Sequence, residues 1–169
     1  MKLSIITMNR IVVFCGSSLG FKPIYKEAAV ELGNYFAHNK IGLVYGGGKI
    51  GMMGALADTI LAQNGEVIGV IPKLLEKEEV VHSGVEEMIV CKKMSERKVI
   101  MSKLIDGYIT LPGGFGTLDE LFEALTLIQT KKIGRFPIAL VGSSYWSGLV
   151  DWINHNSNLG PLGILHSFR

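Results

Sequence analysis

The chain has 169 residues, of which 48% are hydrophobic and 19% are charged. That apolar content can bury a core and excludes a disordered chain, and the length is that of one domain, expected over residues 1–169. The formal net charge of +2 gives no reason to expect nucleic acid or a membrane surface as a partner.

Neither a membrane span nor a metal site is predicted. No run of about 18 apolar residues is present, and residues 1–8 lack the cleavage site of a signal peptide. The two cysteines, Cys15 and Cys91, have no metal-binding or redox spacing, and the four histidines are scattered. These features are typical of reduced thiols in a cytoplasmic protein without a bound metal.

In chain order, short apolar runs alternate with helical patterns. The predicted strands are the runs at 10–15, 41–45, 66–71, 88–91, 107–111 and 137–141. The predicted helices are a segment from 23 to 36 that begins with a proline, a Met- and Ala-rich segment ending near 63, and the segments 94–105, 117–130 and 145–153. Residues 154–169 are Gly-rich and polar with little periodicity, so no element is assigned to them.

Strands that are apolar throughout need cover on both faces, which the intervening helices supply. The sequence therefore predicts an α/β fold, a three-layer, doubly wound and mostly parallel sheet of Rossmann-like type. In such sheets the ligand lies beyond the carboxyl ends of the strands. Three glycine-rich turns fall there: Gly16-Ser17-Ser18, Gly46-Gly47-Gly48 and Gly113-Gly114-Phe115-Gly116.

The second of these turns carries a G-x-G-x-x-G pattern formed by Gly46, Gly48 and Gly51. A dinucleotide site is disfavoured, because the turn follows the second strand and no acidic residue ends the next one. A P-loop is excluded, since Ile50 stands where Ser or Thr is required. The alternative is that these glycines only allow a helix to pack closely against a strand.

The third turn leads directly into a helix and exposes bare backbone amides. Its glycines, Gly113, Gly114 and Gly116, carry no Cβ that would keep an anion from the main chain. Free N–H groups and the positive end of the helix dipole favour a phosphate, to which the Thr117 hydroxyl can add a hydrogen bond. We expect an anion site here.

Glu120 has two interpretations. The run Thr117-Leu118-Asp119-Glu120 fits a capping box, in which the Glu120 side chain accepts from the Thr117 amide. In the functional alternative, the helix dipole favours the ionised carboxylate, which then acts as a base, a hydroxyl acceptor or a stabiliser of positive charge.

Arg97 lies in an otherwise apolar stripe of the helix predicted over 94–105. A buried guanidinium requires an anion beside it. That anion is either a carboxylate of the protein, such as Glu120, Glu123 or one at a strand end, or a phosphate or carboxylate of a ligand, to which Lys98 could add a second charge. In a further alternative, only the apolar stem of Arg97 is buried and its guanidinium reaches solvent.

The helix predicted over 117–130 is apolar nearly all round. Such a helix is buried on more than one side, which in a chain this small indicates a second subunit. We expect a two-fold homodimer through this helix and its neighbour. The methionines are interpreted as fillers of the core or of that interface: Met52, Met53, Met94 and Met101.

The run Pro112-Gly113-Gly114-Phe115-Gly116-Thr117-Leu118-Asp119-Glu120 resembles the PGGxGTxxE signature of the LOG family, the cytokinin riboside 5′-monophosphate phosphoribohydrolases, which have also been labelled lysine decarboxylases. The run Ser95-Glu96-Arg97-Lys98 is similar to the family's Arg-Lys pair upstream of that signature. Further segments match in the same order, at 15–18, 45–54 and 69–72. The resemblance covers about residues 10–152.

The resemblance implies hydrolysis of the N-glycosidic bond of a nucleoside 5′-monophosphate, with Arg97 and Glu120 as the catalytic pair. It implies a homodimer and neither an organic cofactor nor a metal. It further implies substrate contacts from the matched segments and from two less distinctive positions: Gly16, Ser17, Gly46, Gly47, Gly48, Glu79, Lys98, Gly113, Gly114, Phe115, Gly116, Thr117 and Thr126.

Three functions stay open on sequence grounds: a phosphoribohydrolase for cytokinin-type nucleotides, a broader purine or pyrimidine nucleotide nucleosidase, and a non-catalytic nucleotide or cofactor carrier. The pair Arg97 and Glu120 favours an enzyme, because a carrier needs the amides but no carboxylate at the sugar. A pyridoxal-phosphate decarboxylase is disfavoured, since the chain is too short for the usual fold and no lysine stands out as a Schiff-base residue.

Overall fold

The structure is a computed structural model that describes residues 9–76, 81–155 and 165–168. One sheet runs through it. Its strands within these residues are β1 Arg10–Phe14, β2 Gly42–Tyr45, β3 Val67–Pro72, β4 Glu87–Cys91, β5 Gly107–Thr110, β6 Ile138–Val141 and β7 Leu165–Phe168. They follow the spatial order β4-β3-β2-β1-β5-β6-β7, and each neighbouring pair is parallel.

Helices connect these strands. They are α1 Pro23–Asn39, α2 Gly51–Leu61, α3 Lys73–Glu76, α4 Met94–Lys103, α5 Phe115–Gln129 and α6 Ser143–His155. Pro23 opens α1, as predicted, because its fixed φ suits the first turn and its missing N–H has no helical partner there.

Successive residues of β1 face opposite sides of the sheet, as the pleat requires. Ile11 and Val13 belong to a core that packs against α1 and α2. Val12 and Phe14 belong to a second core, which packs against α4, α5 and α6. Helices thus cover both faces of the sheet, and the prediction of a three-layer, doubly wound α/β fold is confirmed.

The winding of the sheet reverses at β1. From β1 the chain proceeds outward to β4 at one edge, then returns to β5 on the other side of β1 and continues to β7. At such a switch point a crevice opens beyond the carboxyl ends of the strands. The three glycine-rich turns follow β1, β2 and β5, and all three reach this crevice.

Three of the differences from the predicted elements affect the cavity or the sheet. Helix α5 begins at Phe115 rather than Thr117, because the extended Gly114 is its N-cap. Helix α3 is a single turn, too short for helical periodicity to reveal it. Strand β7 lies in the segment without periodicity and joins the sheet by parallel pairing with β6.

Candidate active site

A cavity of about 620 Å³ lies beyond the carboxyl ends of the strands at the switch point. Its volume is within the range of small-molecule sites, about 300–1,000 Å³. The residues that line it come from the strand ends, the turns after them and the first turns of the neighbouring helices: Cys15, Gly16, Ser17, Gly46, Gly48, Ile50, Met53, Ile71, Leu75, Met94, Arg97, Lys98, Gly114, Phe115, Gly116, Thr117, Asp119 and Glu120.

The first turn of α5 contributes backbone amides to the cavity wall. Its N-cap, Gly114, is extended at φ −92° and ψ −154°, and no side chain among the described residues caps the helix. Within the described part of the chain, the N–H groups of Gly114, Phe115, Gly116 and Thr117 have no acceptor. A Cβ at Gly114 or Gly116 would meet no atom of the described protein within 4 Å, so there is open space beside both residues. Unpaired N–H groups at a helix N-terminus attract an anion.

The loop before α5 is held by its neighbours. The amide of Gly16 donates to the carbonyl oxygen of Pro112 at 3.1 Å, which joins the turn after β1 to the turn after β5. A Cβ at Gly113 would overlap Oγ1 of the buried Thr117, so only glycine fits there. Gly113 therefore shapes the loop, and the glycines that follow it line the cavity.

Arg97 is buried in the cavity wall, with 9% of its surface exposed. Its Nε donates to the carbonyl oxygen of Val70 in β3 at 2.8 Å, and its Nη1 donates to Oε1 of Glu120 at 3.1 Å. A Cβ at Gly46 would overlap Nη2, so this glycine makes room for the guanidinium. Among the residues described here, Nη2 donates to no acceptor, and it is the free donor of an otherwise fixed side chain.

Glu120 lies in the second turn of α5 and caps no backbone amide of the described residues. The capping-box interpretation is wrong, because Thr117 is already inside the helix and Glu120 pairs with Arg97 instead of its own backbone. Burial raises the pKa of Glu120 above its usual 4.5, against the opposing charges of Arg97 and Lys98. Desolvation therefore outweighs the opposing charges of Arg97 and Lys98. A carboxyl group with a raised pKa is a better proton acceptor once ionised.

Lys98 lies beside Arg97 on α4 and is engaged by carboxylates of α5. Its Nζ donates to Oδ2 of Asp119 at 2.7 Å and forms an ion pair with Glu123. Burial alone would lower the pKa of Lys98, but the hydrogen bonds to Asp119 and Glu123 outweigh burial and raise it. The lysine thus joins α4 to α5 at the cavity wall. Its positive charge, which was predicted to contact a ligand, is already paired with the carboxylates of Asp119 and Glu123.

Comparison with known proteins identifies the family. A family model described as possible lysine decarboxylase matches residues 53–164. The cytokinin riboside 5′-monophosphate phosphoribohydrolases LOG7 and LOG1 of Arabidopsis thaliana are 42% and 44% identical to this chain over 147 residues. The aligned part is 86% of this chain and 67% and 68% of those proteins. The chain belongs to the LOG family.

Solved structures show that this LOG-family fold is also found in proteins of distant sequence. A molybdenum cofactor carrier protein from Chlamydomonas reinhardtii superposes with a TM-score of 0.71 at 19% identity, over 96% of this chain and 91% of that one. A molybdenum cofactor binding protein from Rippkaea orientalis gives 0.70 at 21% identity, over 97% and 91%. At such identities the likeness concerns the fold alone.

In this LOG-family chain, most of the predicted site residues line one cavity. They are Gly16, Ser17, Gly46, Gly48, Arg97, Lys98, Gly114, Phe115, Gly116, Thr117 and Glu120. Gly47 and Gly113 do not line it and belong to the turns that shape it. Thr126 lies further along α5, where it is exposed and donates to the carbonyl oxygen of Phe122 at 2.7 Å. Glu79 lies outside the described residues.

The G-x-G-x-x-G pattern serves packing in this family member. Gly51 has φ 68°, and a Cβ there would overlap the backbone of Ser17. Helix α2 therefore begins in direct contact with the turn after β1. Together with the room that Gly46 leaves for Arg97, this contact favours the packing interpretation over a dinucleotide site.

Sequence reasoning missed the apolar part of the cavity wall, and with it one acidic residue: Cys15, Ile50, Met53, Ile71, Leu75, Met94 and Asp119. Two of these have a positional signal, since Cys15 and Ile71 lie at the carboxyl ends of predicted strands, where the ligand is expected. The interpretation of the methionines as fillers holds for Met52 and Met101, which are buried, whereas Met94 is 44% exposed at the cavity.

The remaining titratable groups offer no competing centre in the described ranges. No three side chains of His, Cys, Asp or Glu cluster there in a way that could hold a metal ion. Cys15 and Cys91 are free and buried, and burial raises the pKa of both thiols, which makes them poor nucleophiles. None of the helices described has the length and apolar character needed to cross a membrane.

Proposed function

We propose that this LOG-family protein hydrolyses the N-glycosidic bond of a nucleoside 5′-monophosphate of cytokinin or other purine type. The products are the free base and ribose 5-phosphate. The observation that carries the proposal is the presence, in one cavity, of unpaired amides at the start of α5 and of the buried pair Arg97–Glu120. The names of its relatives, phosphoribohydrolases acting on a riboside 5′-monophosphate, support the same reaction.

The 5′-phosphate binds at the start of α5. The N–H groups of Gly114, Phe115, Gly116 and Thr117 have no acceptor among the described residues, and Gly114 and Gly116 present no side chain to a ligand. The helix dipole adds to the attraction for a negative charge. Binding through the phosphate explains why a monophosphate rather than a nucleoside is the substrate that we propose.

Glu120 acts at the ribose. Departure of the base leaves positive charge at C1′, as in other glycosidic cleavages, and the base leaves with the electron pair of the C–N bond and takes a proton from solvent. An ionised Glu120 stabilises that charge and accepts a proton from the attacking water, whose oxygen becomes the new hydroxyl group on C1′. The raised pKa of Glu120 suits the second task.

Arg97 orients Glu120. Its Nε is held by the carbonyl oxygen of Val70, and its Nη1 donates to one oxygen of Glu120. The other oxygen, Oε2, accepts from no described residue and is the one left for water or substrate. A guanidinium fixed at both ends positions a carboxylate better than a flexible ammonium would.

The base lies against the apolar part of the wall. Ile50, Met94 and Phe115 line the cavity and are 54%, 44% and 92% exposed. Apolar side chains that are solvated in the empty site gain from covering a purine ring or an apolar substituent on it.

Two further expectations accompany this function. We propose a homodimer formed through α4 and α5, where Val99 and Phe122 are 48% and 38% exposed, and a cytoplasmic location, which suits two buried free thiols. Sedimentation at micromolar concentration is expected to give a dimer for the wild type and a monomer for Phe122→Glu. A wild-type monomer would contradict the dimer.

The substrate panel tests the function directly. The protein is incubated with AMP, N6-isopentenyl-AMP and the two corresponding nucleosides, and released base is measured by chromatography. We expect base from at least one monophosphate and from neither nucleoside. Binding of a monophosphate without release of base would overturn hydrolysis in favour of a carrier, and equal release from nucleosides would overturn the phosphate site.

A further inference from the structure

A tyrosine outside every motif contacts the loop that leads into the anion site. Tyr145, in the first turn of α6, donates from its hydroxyl to the carbonyl oxygen of Gly113 at an O···O distance of 2.6 Å. That distance is within the range of a hydroxyl–carbonyl hydrogen bond. The sequence pattern places Tyr145 only at the start of a helix, so the contact has no counterpart in the motif analysis.

The contact sets the direction of an amide at the phosphate site. The carbonyl of Gly113 and the N–H of Gly114 belong to one peptide unit, and no described peptide bond is cis. In a trans peptide the C=O and N–H bonds point in opposite directions. Holding the Gly113 oxygen toward α6 therefore points the N–H of Gly114 away from α6. Gly114 is itself one of the residues that line the cavity.

The hydrogen bond also strengthens that amide as a donor. A carbonyl that accepts a hydrogen bond polarises its peptide unit and makes the N–H of the same unit more positive. The preceding peptide is held in the same manner, since the carbonyl oxygen of Pro112 accepts from the amide of Gly16. Both peptides before α5 are thus fixed through their carbonyl oxygens.

Aromatic neighbours hold the Tyr145 ring in place. It meets Tyr25 of α1 edge-on at a centroid distance of 5.9 Å and Trp146 at 4.8 Å. Trp146 is 2% exposed and donates from its indole to the carbonyl oxygen of Val141 at 3.1 Å. A ring anchored to a buried tryptophan places its hydroxyl reproducibly, although Tyr145 itself is half-exposed.

We propose that Tyr145 is a positioning residue for phosphate binding, acting through the Gly113–Gly114 peptide. This inference rests on the proposed function, because it assumes that the amides of α5 bind the phosphate. Tyr145 touches no reacting atom in this account. Its loss weakens ground-state binding of a phosphorylated ligand and leaves the chemical step unchanged.

The test compares Tyr145→Phe with Tyr25→Phe. Both variants lose one hydroxyl from the same ring pair, and the Tyr25 hydroxyl makes no hydrogen bond to the residues that the structure describes. For Tyr145→Phe we expect a rise of about three- to tenfold in KM for the monophosphate and in the dissociation constant of ribose 5-phosphate, with kcat within about twofold of wild type. Tyr25→Phe should leave all three values unchanged.

A second measurement reads the Gly114 amide itself. In NMR spectra of the free protein, Tyr145→Phe should move the Gly114 amide proton upfield, whereas Tyr25→Phe should not. Unchanged ribose 5-phosphate affinity and an unmoved Gly114 signal would overturn the positioning role while leaving the proposed function intact. Wild-type protein that binds neither ribose 5-phosphate nor a monophosphate would overturn the proposed function and the inference together.

Discussion

Arg97 and Glu120 meet across the cavity wall, with Nη1 of the arginine 3.1 Å from Oε1 of the glutamate. The arginine comes from α4 and the glutamate from α5, and both side chains are largely shielded from solvent. Burying an ion pair of this kind costs desolvation energy. Removing one partner strongly destabilises the fold, because the other charge is left buried and unpaired. The pair lines the same cavity as the open amides of α5.

The pH profile of Arg97→Gln reports on this pair. Burial raises the pKa of Glu120, and the Arg97 charge opposes that shift. Activity that needs ionised Glu120 is present above its pKa and is lost as the pH falls through it. Removing the charge of Arg97 should therefore move the acid limb of kcat to higher pH.

The matched control for that profile is Arg10→Gln. Arg10 pairs with Glu66 in a half-exposed ion pair at the start of β1, and neither residue lines the cavity. Its profile should follow that of the wild type. An acid limb that stays in place in Arg97→Gln would show that Arg97 does not influence the titrating group.

Alanine substitutions at three glycines separate ligand space from protein packing. A Cβ at Gly114 or Gly116 meets no described protein atom within 4 Å, so Gly114→Ala and Gly116→Ala should fold normally. They should nevertheless weaken ribose 5-phosphate binding at least about tenfold, because the added methyl group occupies space beside the amides. Calorimetry and thermal unfolding measure both effects.

Gly113→Ala is expected to behave in the opposite way. Its Cβ would overlap Oγ1 of Thr117, so the free energy of unfolding should fall by about 1–3 kcal/mol. Normal phosphate binding by both Gly114→Ala and Gly116→Ala would place the anion elsewhere.

Gly46→Ala tests whether the second glycine turn serves Arg97. The new Cβ would overlap Nη2, so the guanidinium must shift and Glu120 loses its fixed partner. A misplacement of about 1 Å near the chemistry can cost about 100-fold in rate, and we expect kcat to fall toward that figure. Gly148→Ala is the control, since its Cβ on α6 is in open space and replacing a helical glycine should stabilise by about 0.5–1 kcal/mol. Equal kcat values for the two variants would refute this role of Gly46.

Local pattern was enough to predict six of the seven described strands and to place the cavity, whereas β7 lies in a segment without periodicity. The strands are apolar on both faces, and that property is visible in residues such as Ile11, Val12 and Val13. The first residue of α5 was harder to predict, because Phe115 and Gly116 belong to a glycine-rich run that is typical of a turn. Only the extended backbone of Gly114 shows that the helix begins at Phe115. Helix limits depend on such backbone angles, which composition does not determine.

Contacts that depend on how the helices pack could not be predicted from the sequence. The position of Arg97 in an apolar stripe predicts an anion beside it, but several carboxylates could supply that anion. Only the side-chain contact between α4 and α5 shows that it is Glu120. The raised pKa of Glu120 arises from burial by residues distant in the chain. Tyr145 has no signature either, because its partner is a carbonyl oxygen that every residue possesses.

The most direct measurement is base release by Glu120→Gln under single-turnover conditions, with a nucleoside monophosphate that the wild type cleaves. The substitution keeps the shape of the side chain and removes its charge, while Glu123→Gln alters a neighbouring carboxylate that pairs only with Lys98 in the described structure. We expect release to slow by about 100-fold or more in Glu120→Gln, with ribose 5-phosphate still bound, and to change little in Glu123→Gln. Undiminished turnover by Glu120→Gln would contradict the account.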